Sequence, residues 1–550
     1  MTKYFLVNNA SRAAVYGIGT YIKQLTEYIR NGQSQYELCL LDIYSDVKEF
    51  VVDRDENGIL HYKIPSFQRR KNVFSYYRCI LFFLDSYIEK DEEVIFHFNY
   101  SQHYDLIRQI KSRYKSCHIL YTIHYLNWCF TLNGNLTRFR KIIGNEDNDA
   151  IRENIQKDYL NDKRLFSLCD DIIVLSKFTY DVLCKDYHLD ESKLHLVYNG
   201  MKDNPESVPY SNIDNSQKEI LYVGRLDEIK GIEYVIKAFK SISSYMNAHL
   251  TIVGDGDFCR YLTLCEGIWD KVTFTGKIDK DKLEQFFSRA TIGIQPSFHE
   301  QCSYSAIEMM AHGIPFVATD STGLGEMMDY TPECLVHIDE NDFQPDAFVK
   351  QLAERIERLL SDSQLRCQVS KEIKRLFHER YSLNCMGDAL RGVWASAIDE
   401  ENGYSKEFLP YLDDEMMRLI NERPVLDMDT IGLTGIGCYL WWRICSLREQ
   451  MEHQSNADSM RLQEYFIYYI DWLYDVLVED GMEAFSSYFE PDPLNKLLSD
   501  LMDAGFYKTK VETIIQKIHE LGVDLETKKS KETKLYEVSR TALEIYNLNL

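Results

Sequence analysis

Two short stretches hold the side chains best suited to chemistry. The first, VGRLDEIKG at 223–231, places Arg225 and Lys230 just beyond an apolar run. A guanidinium can bond bidentately and an ammonium acts as a point charge. Side by side at a helix N-terminus they suit a diphosphate. Two solvated surface cations would show the same spacing, and the spacing leaves both readings open. The second stretch, HEQCSYSAIEMMAHGIPFVATD at 299–320, contains Glu300 and Glu308. Glu300 follows the apolar run IGIQP, at the strand end where open α/β sheets bind ligands. A helix is expected over 303–312, and the amides of Gln301, Cys302, Ser303 and Tyr304 at its opening can donate to an anion. Glu308 lies a turn or more inside that helix, and a carboxylate accepting from two adjacent hydroxyls suits a ribose. One carboxylate would then hold the sugar end of a long ligand and the other its nucleoside end. An ordinary helix with a surface glutamate is the alternative.

The elements that must position these groups follow from the hydrophobic pattern. Apolar runs at 4–7, 37–41, 94–98, 117–122 and 171–175 alternate with helical stretches. The pattern restarts with EILYVG at 219 and continues through LTIVG, KVTFTG, IGIQP and PFVAT. Apolar strands alternating with helices predict parallel sheets covered on both faces. The expected fold class is α/β, with two Rossmann-like doubly wound domains facing a cleft. The first would span residues 1–200 and the second 201–380, joined by the polar, Gly- and Pro-bearing link at 199–217. A crossover helix is expected over 381–400 and a separate all-helical domain over 401–550. The last segment has 28 acidic and 15 basic residues, so −13 of the chain's net charge of −24 lies there.

Bulk composition narrows the partners. At 550 residues the chain is too long for one core. A field of −24 repels phosphate backbones, so nucleic acid is not an expected partner, although a local basic patch is not excluded. The 14 cysteines form no CxxC pair and read as small buried hydrophobes in a reducing compartment. With no signal-peptide pattern at the start and no apolar run near the ~20 residues of a membrane span, a cytoplasmic location is expected, with peripheral contact at the inner membrane face as a second option.

Taken together and in order, GRLDEIKG, the paired Glu300 and Glu308, and AHGIPFVATDSTGLGEMM resemble the second domain of retaining glycosyltransferases with the GT-B fold, family 4 (glycosyl transferases group 1) type. The resemblance covers about residues 3–398. It implies a metal-independent transfer of a sugar, with retention, from a UDP- or GDP-linked nucleotide-sugar to an acceptor hydroxyl. No metal and no cofactor beyond the donor are expected. By the same resemblance Arg225 and Lys230 would bind the donor diphosphate, Glu300 the transferred sugar and Glu308 the ribose. Gly276 and Lys277 would flank the base. Many relatives carry Gly-Phe-Gly after the first Glu. Here Gln301-Cys302-Ser303 stands instead, which restricts backbone approach to a phosphate and leaves the side chains of Gln301 or Ser303 as substitute donors. Asp170-Asp171 opens an apolar run and reads as a strand cap, not as a metal-binding pair.

In the first half, Gly17-Ile-Gly19 sits on the expected first strand–helix loop. A tight turn explains it as well as a phosphate-binding loop does, and Ile22 breaks the GxGxxG pattern of dinucleotide binders. The resemblance implies that this loop approaches the donor, and that His124, at the end of the run CHILYTI, lies near the scissile bond. His97 in IFHFN alternates with Phe96 and Phe98 and reads as a packed strand position.

The acceptor is harder to read: a glycan, a lipid-linked carrier or a peptide. The basic, aromatic stretch 63–80, with Arg69, Arg70, Lys71 and Arg78, would suit an anionic lipid surface or phosphorylated carrier, or equally a solvated loop. The 401–550 tail is expected to dock a protein partner or the acceptor. Its segment 430–442 faintly resembles the helix starts of lanthionine-cyclase-like toroids, without their Cys/His zinc set. Two other functions remain open: a non-catalytic nucleotide-sugar-binding scaffold, and a sugar-nucleotide epimerase of the same fold.

Overall fold

The computed structural model describes residues 2–9, 17–31, 36–66, 73–89, 92–114, 116–144, 150–203, 217–399, 470, 498–499, 501–502 and 508–520. The first sheet contains β1 (Thr2–Asn9), β2 (Tyr36–Ser45), β3 (Val51–Arg54), β4 (Leu60–Pro65), β5 (Val94–Phe98), β6 (Cys117–Ile123), β7 (Asp171–Val174) and β8 (Leu194–Leu196). Their order is β3-β4-β2-β1-β5-β6-β7-β8, and only the β3–β4 pair is antiparallel. Every residue of β5 and β6 is buried, as continuous apolar runs in a sheet covered on both faces should be.

The second sheet contains β9 (Lys218–Val223), β10 (Ala248–Val253), β11 (Val272–Gly276), β12 (Ile292–Gln295), β13 (Phe316–Thr319) and β14 (Leu335–Val336). Its order is β11-β10-β9-β12-β13-β14, parallel throughout. β3, β4, β8 and β14 were not foreseen from the apolar pattern. β3 (VVDR) is a charged, partly exposed edge strand, and β8 and β14 are too short to show a period.

The helix Leu383–Asp399 returns to the first sheet. Met201 N–H donates to Tyr381 O at 3.0 Å, and Leu383 N–H donates to Met201 O at 2.8 Å. The Tyr28 hydroxyl donates to Asp388 at 2.9 Å. Trp394 sets its ring edge-on to Tyr4 and Tyr36, with centroids at 5.2 and 5.5 Å.

The chain divides into two compact units. The first, Met1–Ser66, Glu92–Tyr104 and Cys117–Glu401, contains both sheets. The second comprises Phe67–Asp91, Asp105–Ser116 and Asn402–Leu550. Its described parts include the helices Val73–Leu84 and Lys508–Glu520. Asp85 there accepts from Arg113 Nε at 3.0 Å and from the Tyr114 hydroxyl at 3.1 Å. Arg69, Arg70, Lys71, the side chain of Arg78 and most of 401–550, including 430–442, lie outside the described residues. Among the described residues no helix is long and apolar enough to cross a membrane. Of the described cysteines seven are buried, while Cys79, Cys259 and Cys367 are exposed.

Candidate active site

Two loops at the carboxyl ends of β9 and β12 are fastened back to back. After β9 the chain makes a one-turn 3-10 helix, Glu228–Lys230, which ends at Gly231 with φ of +69°. A Cβ at Gly231 would lie 2.3 Å from the carbonyl oxygen of Pro296, so only glycine lets the two backbones meet. Phe298 N–H donates to Ile229 O at 2.8 Å across the same contact. This approach sets Lys230 Nζ 2.5 Å from Glu300 Oε1, which also accepts from the Ser297 hydroxyl at 3.0 Å. Arg225 Nη1 lies 2.8 Å from Asp227 Oδ2.

Glu300 is held from behind by the loop after β13. The Thr322 hydroxyl donates to Glu300 O at 2.8 Å and accepts from Glu300 N–H at 3.0 Å. Gly323 N–H donates to the same carbonyl at 2.8 Å.

The following helix runs Tyr304–His312, with Ser303 as N-cap; its hydroxyl accepts from Ala306 N–H at 3.4 Å. The helix thus opens one residue later than expected, and the amides of Gln301 and Cys302 belong to the approach loop. The Gln301 side chain lines the cleft, and its Nε2 is buried without a protein partner. Its carboxamide oxygen accepts from the Ser176 hydroxyl at 2.9 Å and from the Thr179 hydroxyl, and so ties the loop to the first half. Cys302 is buried, and its carbonyl accepts from Asn199 Nδ2 at 2.7 Å. The Tyr304 hydroxyl is buried without a protein partner. Burial pushes the Glu308 carboxyl up to about 7, with Glu284 adding to the shift and Lys280 opposing it.

On the first half, His124 follows the end of β6. Its Nε2 lies 3.0 Å from Asn99 Oδ1 and its ring stands edge-on to Tyr21 at 4.8 Å. Burial lowers its pKa to about 3, so the imidazole is neutral. With Asn99 Oδ1 accepting from Nε2–H, Nδ1 is left as the acceptor. His97 is fully buried, bonded to the Tyr4 hydroxyl and, at 2.6 Å, to Thr122 Oγ1; it belongs to the sheet interior. Gly17 and Gly19 lie in the first turn of the helix Gly17–Asn31 and not in a loop before it. Asp171 bridges His118 and His195 at 2.7 and 2.5 Å, at the amino ends of the strands and away from the cleft.

These groups converge on one cleft of about 640 Å³. Gly17 and His124 line it from the first half. Arg225, Lys230, Lys277, Glu300, Gln301, Cys302, Ser303, Tyr304 and Glu308 line it from the second. Gly19 and Gly276 do not. Gly276 ends β11 with φ of +69°, and this backbone conformation explains the glycine without a ligand. Among the lining residues that sequence reading passed over are Tyr125, Phe130 and His299. The signal for His299 was its place directly before Glu300. A second, larger cavity of about 860 Å³ lies beyond the 298–301 loop. Its carboxylates are engaged within the protein: Glu228 by Arg260, Asp320 by His337 and Glu340 by Thr137.

The chain resembles known glycosyltransferases in sequence and fold. Residues 217–362 match the family model described as Glycosyl transferases group 1. The chain is 30% identical over 244 residues to an uncharacterized glycosyltransferase of Methanocaldococcus jannaschii, an alignment covering 42% of this chain and 60% of that relative. It spans about half the length of the curated relatives it matches. Its fold is similar to that of sucrose-phosphate synthase from Thermosynechococcus elongatus, with a TM-score of 0.56 at 18% identity over 72% of this chain and 99% of that one. It is also similar to Anabaena HepE, solved in complex with UDP and glucose, with a TM-score of 0.53 at 12% identity over 72% and 100% of the two chains. The two largely parallel sheets flanked by helices match the fold of these solved structures.

Proposed function

We propose that the chain is a nucleotide-sugar-dependent glycosyltransferase that retains anomeric configuration and needs no metal. The observation that carries this reading is the Lys230–Glu300 pair, at 2.5 Å, in the cleft that Arg225, Glu308 and His124 also line. In this reading a UDP- or GDP-linked donor lays its diphosphate against Arg225 and Lys230, with its ribose hydroxyls toward Glu308. The two cations offset charge as it builds on the leaving diphosphate. An arriving diphosphate shares the Lys230 ammonium with Glu300, whose carboxylate then turns to the hydroxyls of the transferred sugar. The leaving phosphate oxygen takes the proton of an acceptor hydroxyl attacking on the same face, so no protein nucleophile is needed. The neutral His124 accepts a hydroxyl proton in a hydrogen bond at Nδ1 and does not carry charge.

The acceptor belongs to the class of glycans, lipid-linked sugars or peptides, and we place the activity in polysaccharide biosynthesis in the cytoplasm. Contact with the inner membrane face through 63–80, and a protein partner for 401–550, are part of the same reading.

Nucleotide release from UDP-, GDP- and ADP-sugars tests it. One donor should release nucleotide, with rates reduced at least ~100-fold in Lys230→Ala and Glu300→Ala, the scale of removing a group that stabilises developing charge. Release should persist in EDTA, and NMR of the product should show the donor's anomeric configuration. If no donor binds, or if both variants match the wild type, the proposal fails.

A further inference from the structure

His299 is only 4% exposed, yet neither ring nitrogen has a protein partner. Leaving a buried donor or acceptor unmet is costly, so such a pair of atoms marks a place where something else completes the bonding. The ring lines the cleft one residue before Glu300. Two aromatic rings of the first half flank it edge-on, Phe130 at 6.3 Å and Phe178 at 6.5 Å. Burial lowers its pKa to about 4, so at neutral pH it offers one N–H donor and one lone-pair acceptor. Beside it, Phe130 is 44% exposed and its ring lies 5.7 Å from that of Tyr125. Tyr125, Phe130 and His299 all line the same cleft, next to His124.

We infer that Tyr125, Phe130 and His299 form the acceptor subsite and that the acceptor group seated there is a sugar ring. A pyranose has an apolar C–H face and a rim of hydroxyls that each donate and accept. The Tyr125–Phe130 surface takes the face, and the neutral imidazole takes two hydroxyls, accepting from one and donating to the other. A simple alkyl chain would leave both nitrogens unmet. A serine or threonine hydroxyl meets one nitrogen and brings no apolar ring face for the Tyr125–Phe130 surface. This inference rests on the transferase reading and adds the substrate class to it.

Saturation-transfer NMR on the full chain tests the subsite. The probes are methyl α-glucoside, methyl α-mannoside and methyl α-galactoside, each with UDP or GDP present, and 1-hexanol and N-acetylserine amide are the non-sugar controls. At least one glycoside should show signal on its ring C–H protons and the controls none. Binding should weaken about tenfold in His299→Phe and in Phe130→Ala. His299→Gln keeps a donor and an acceptor, so it should bind better than His299→Phe. This comparison stands even if one variant folds poorly. Silence from every glycoside while UDP or GDP binds would overturn the subsite and leave the transferase reading in place. So would hexanol or the serine amide binding as well as the glycosides, or equal glycoside binding by His299→Phe and wild type. If His299→Phe weakens UDP- or GDP-sugar binding but not glycoside binding, His299 reads the donor and the inference falls. If neither nucleotide nor glycoside binds, the transferase reading fails and this inference fails with it.

Discussion

At the scale of single residues, Glu308 has the most informative environment. Its carboxyl is raised by burial from 4.5 to about 7. A group whose folded pKa is raised stabilises the fold most when protonated, below about 4.5, and loses that contribution as pH climbs through about 7. Glu308→Gln should therefore flatten the fall in melting temperature across that window, by an amount on the order of 1 kcal/mol after allowing for solvent at the cleft. Donor binding should move in the opposite sense, because a ribose needs the carboxylate as acceptor. Wild-type affinity should rise as pH passes about 7, and the glutamine variant should show no such rise. Calorimetry and titrations at several pH values check both halves. A parallel pH dependence in the two proteins would remove Glu308 from the ribose site.

At the scale of elements, the turn after β9 shows how little freedom the site has. Gly231 sits at φ of +69° with the Pro296 carbonyl where a Cβ would go. Gly231→Ala must twist the turn or push away the loop after β12, and either movement separates Lys230 from Glu300. The expected loss is about 1–3 kcal/mol in chemical denaturation, with nucleotide affinity falling alongside it. An alanine variant with wild-type nucleotide binding would show that the close approach of the two loops is dispensable. Local chemistry also explains Gln301. Glycine at this place would let the backbone approach a phosphate, whereas here a carboxamide reaches Ser176 and Thr179 on the opposite half.

At the scale of the whole first unit, the two sheets are tied by carboxylates of one half bonded to helix N-termini of the other. Glu326 accepts from Lys177 N–H at 3.0 and 2.9 Å, at the start of the helix Lys177–Lys185. Glu340 accepts from Thr137 N–H at 3.1 Å and from its hydroxyl at 3.0 Å, in the first turn of Leu136–Ile143. Each tie places a carboxyl oxygen where helix amides are unpaired. Glu326→Ala should cost about 1 kcal/mol of cap and dipole energy and shift the halves toward a wider cleft without nucleotide. Small-angle scattering of the wild type and the variant reads the opening directly. Identical radii of gyration would show that Glu326 caps a helix without holding the cleft.

The sequence by itself determined the alternation of strand and helix, because an apolar run covered on both faces leaves its mark in every residue. β5, β6, β9 and β12 lie within a residue or two of the expected runs. It also determined that cations follow one strand and a carboxylate another. The edge strand β3 and the two-residue β14 escaped because an edge carries charge and a short strand has no period. Only the tertiary structure decided that Lys230 meets Glu300, since that contact depends on Gly231 and Pro296 fitting together across 65 residues of chain. Only it separated Gly17 from Gly19, because which residues reach the cleft depends on where the helix starts. His299 shows the difference most plainly. Its neighbour Glu300 was legible from motif, but the burial of His299 beside Phe130 and Phe178, with no protein partner at either nitrogen, appears only in the fold.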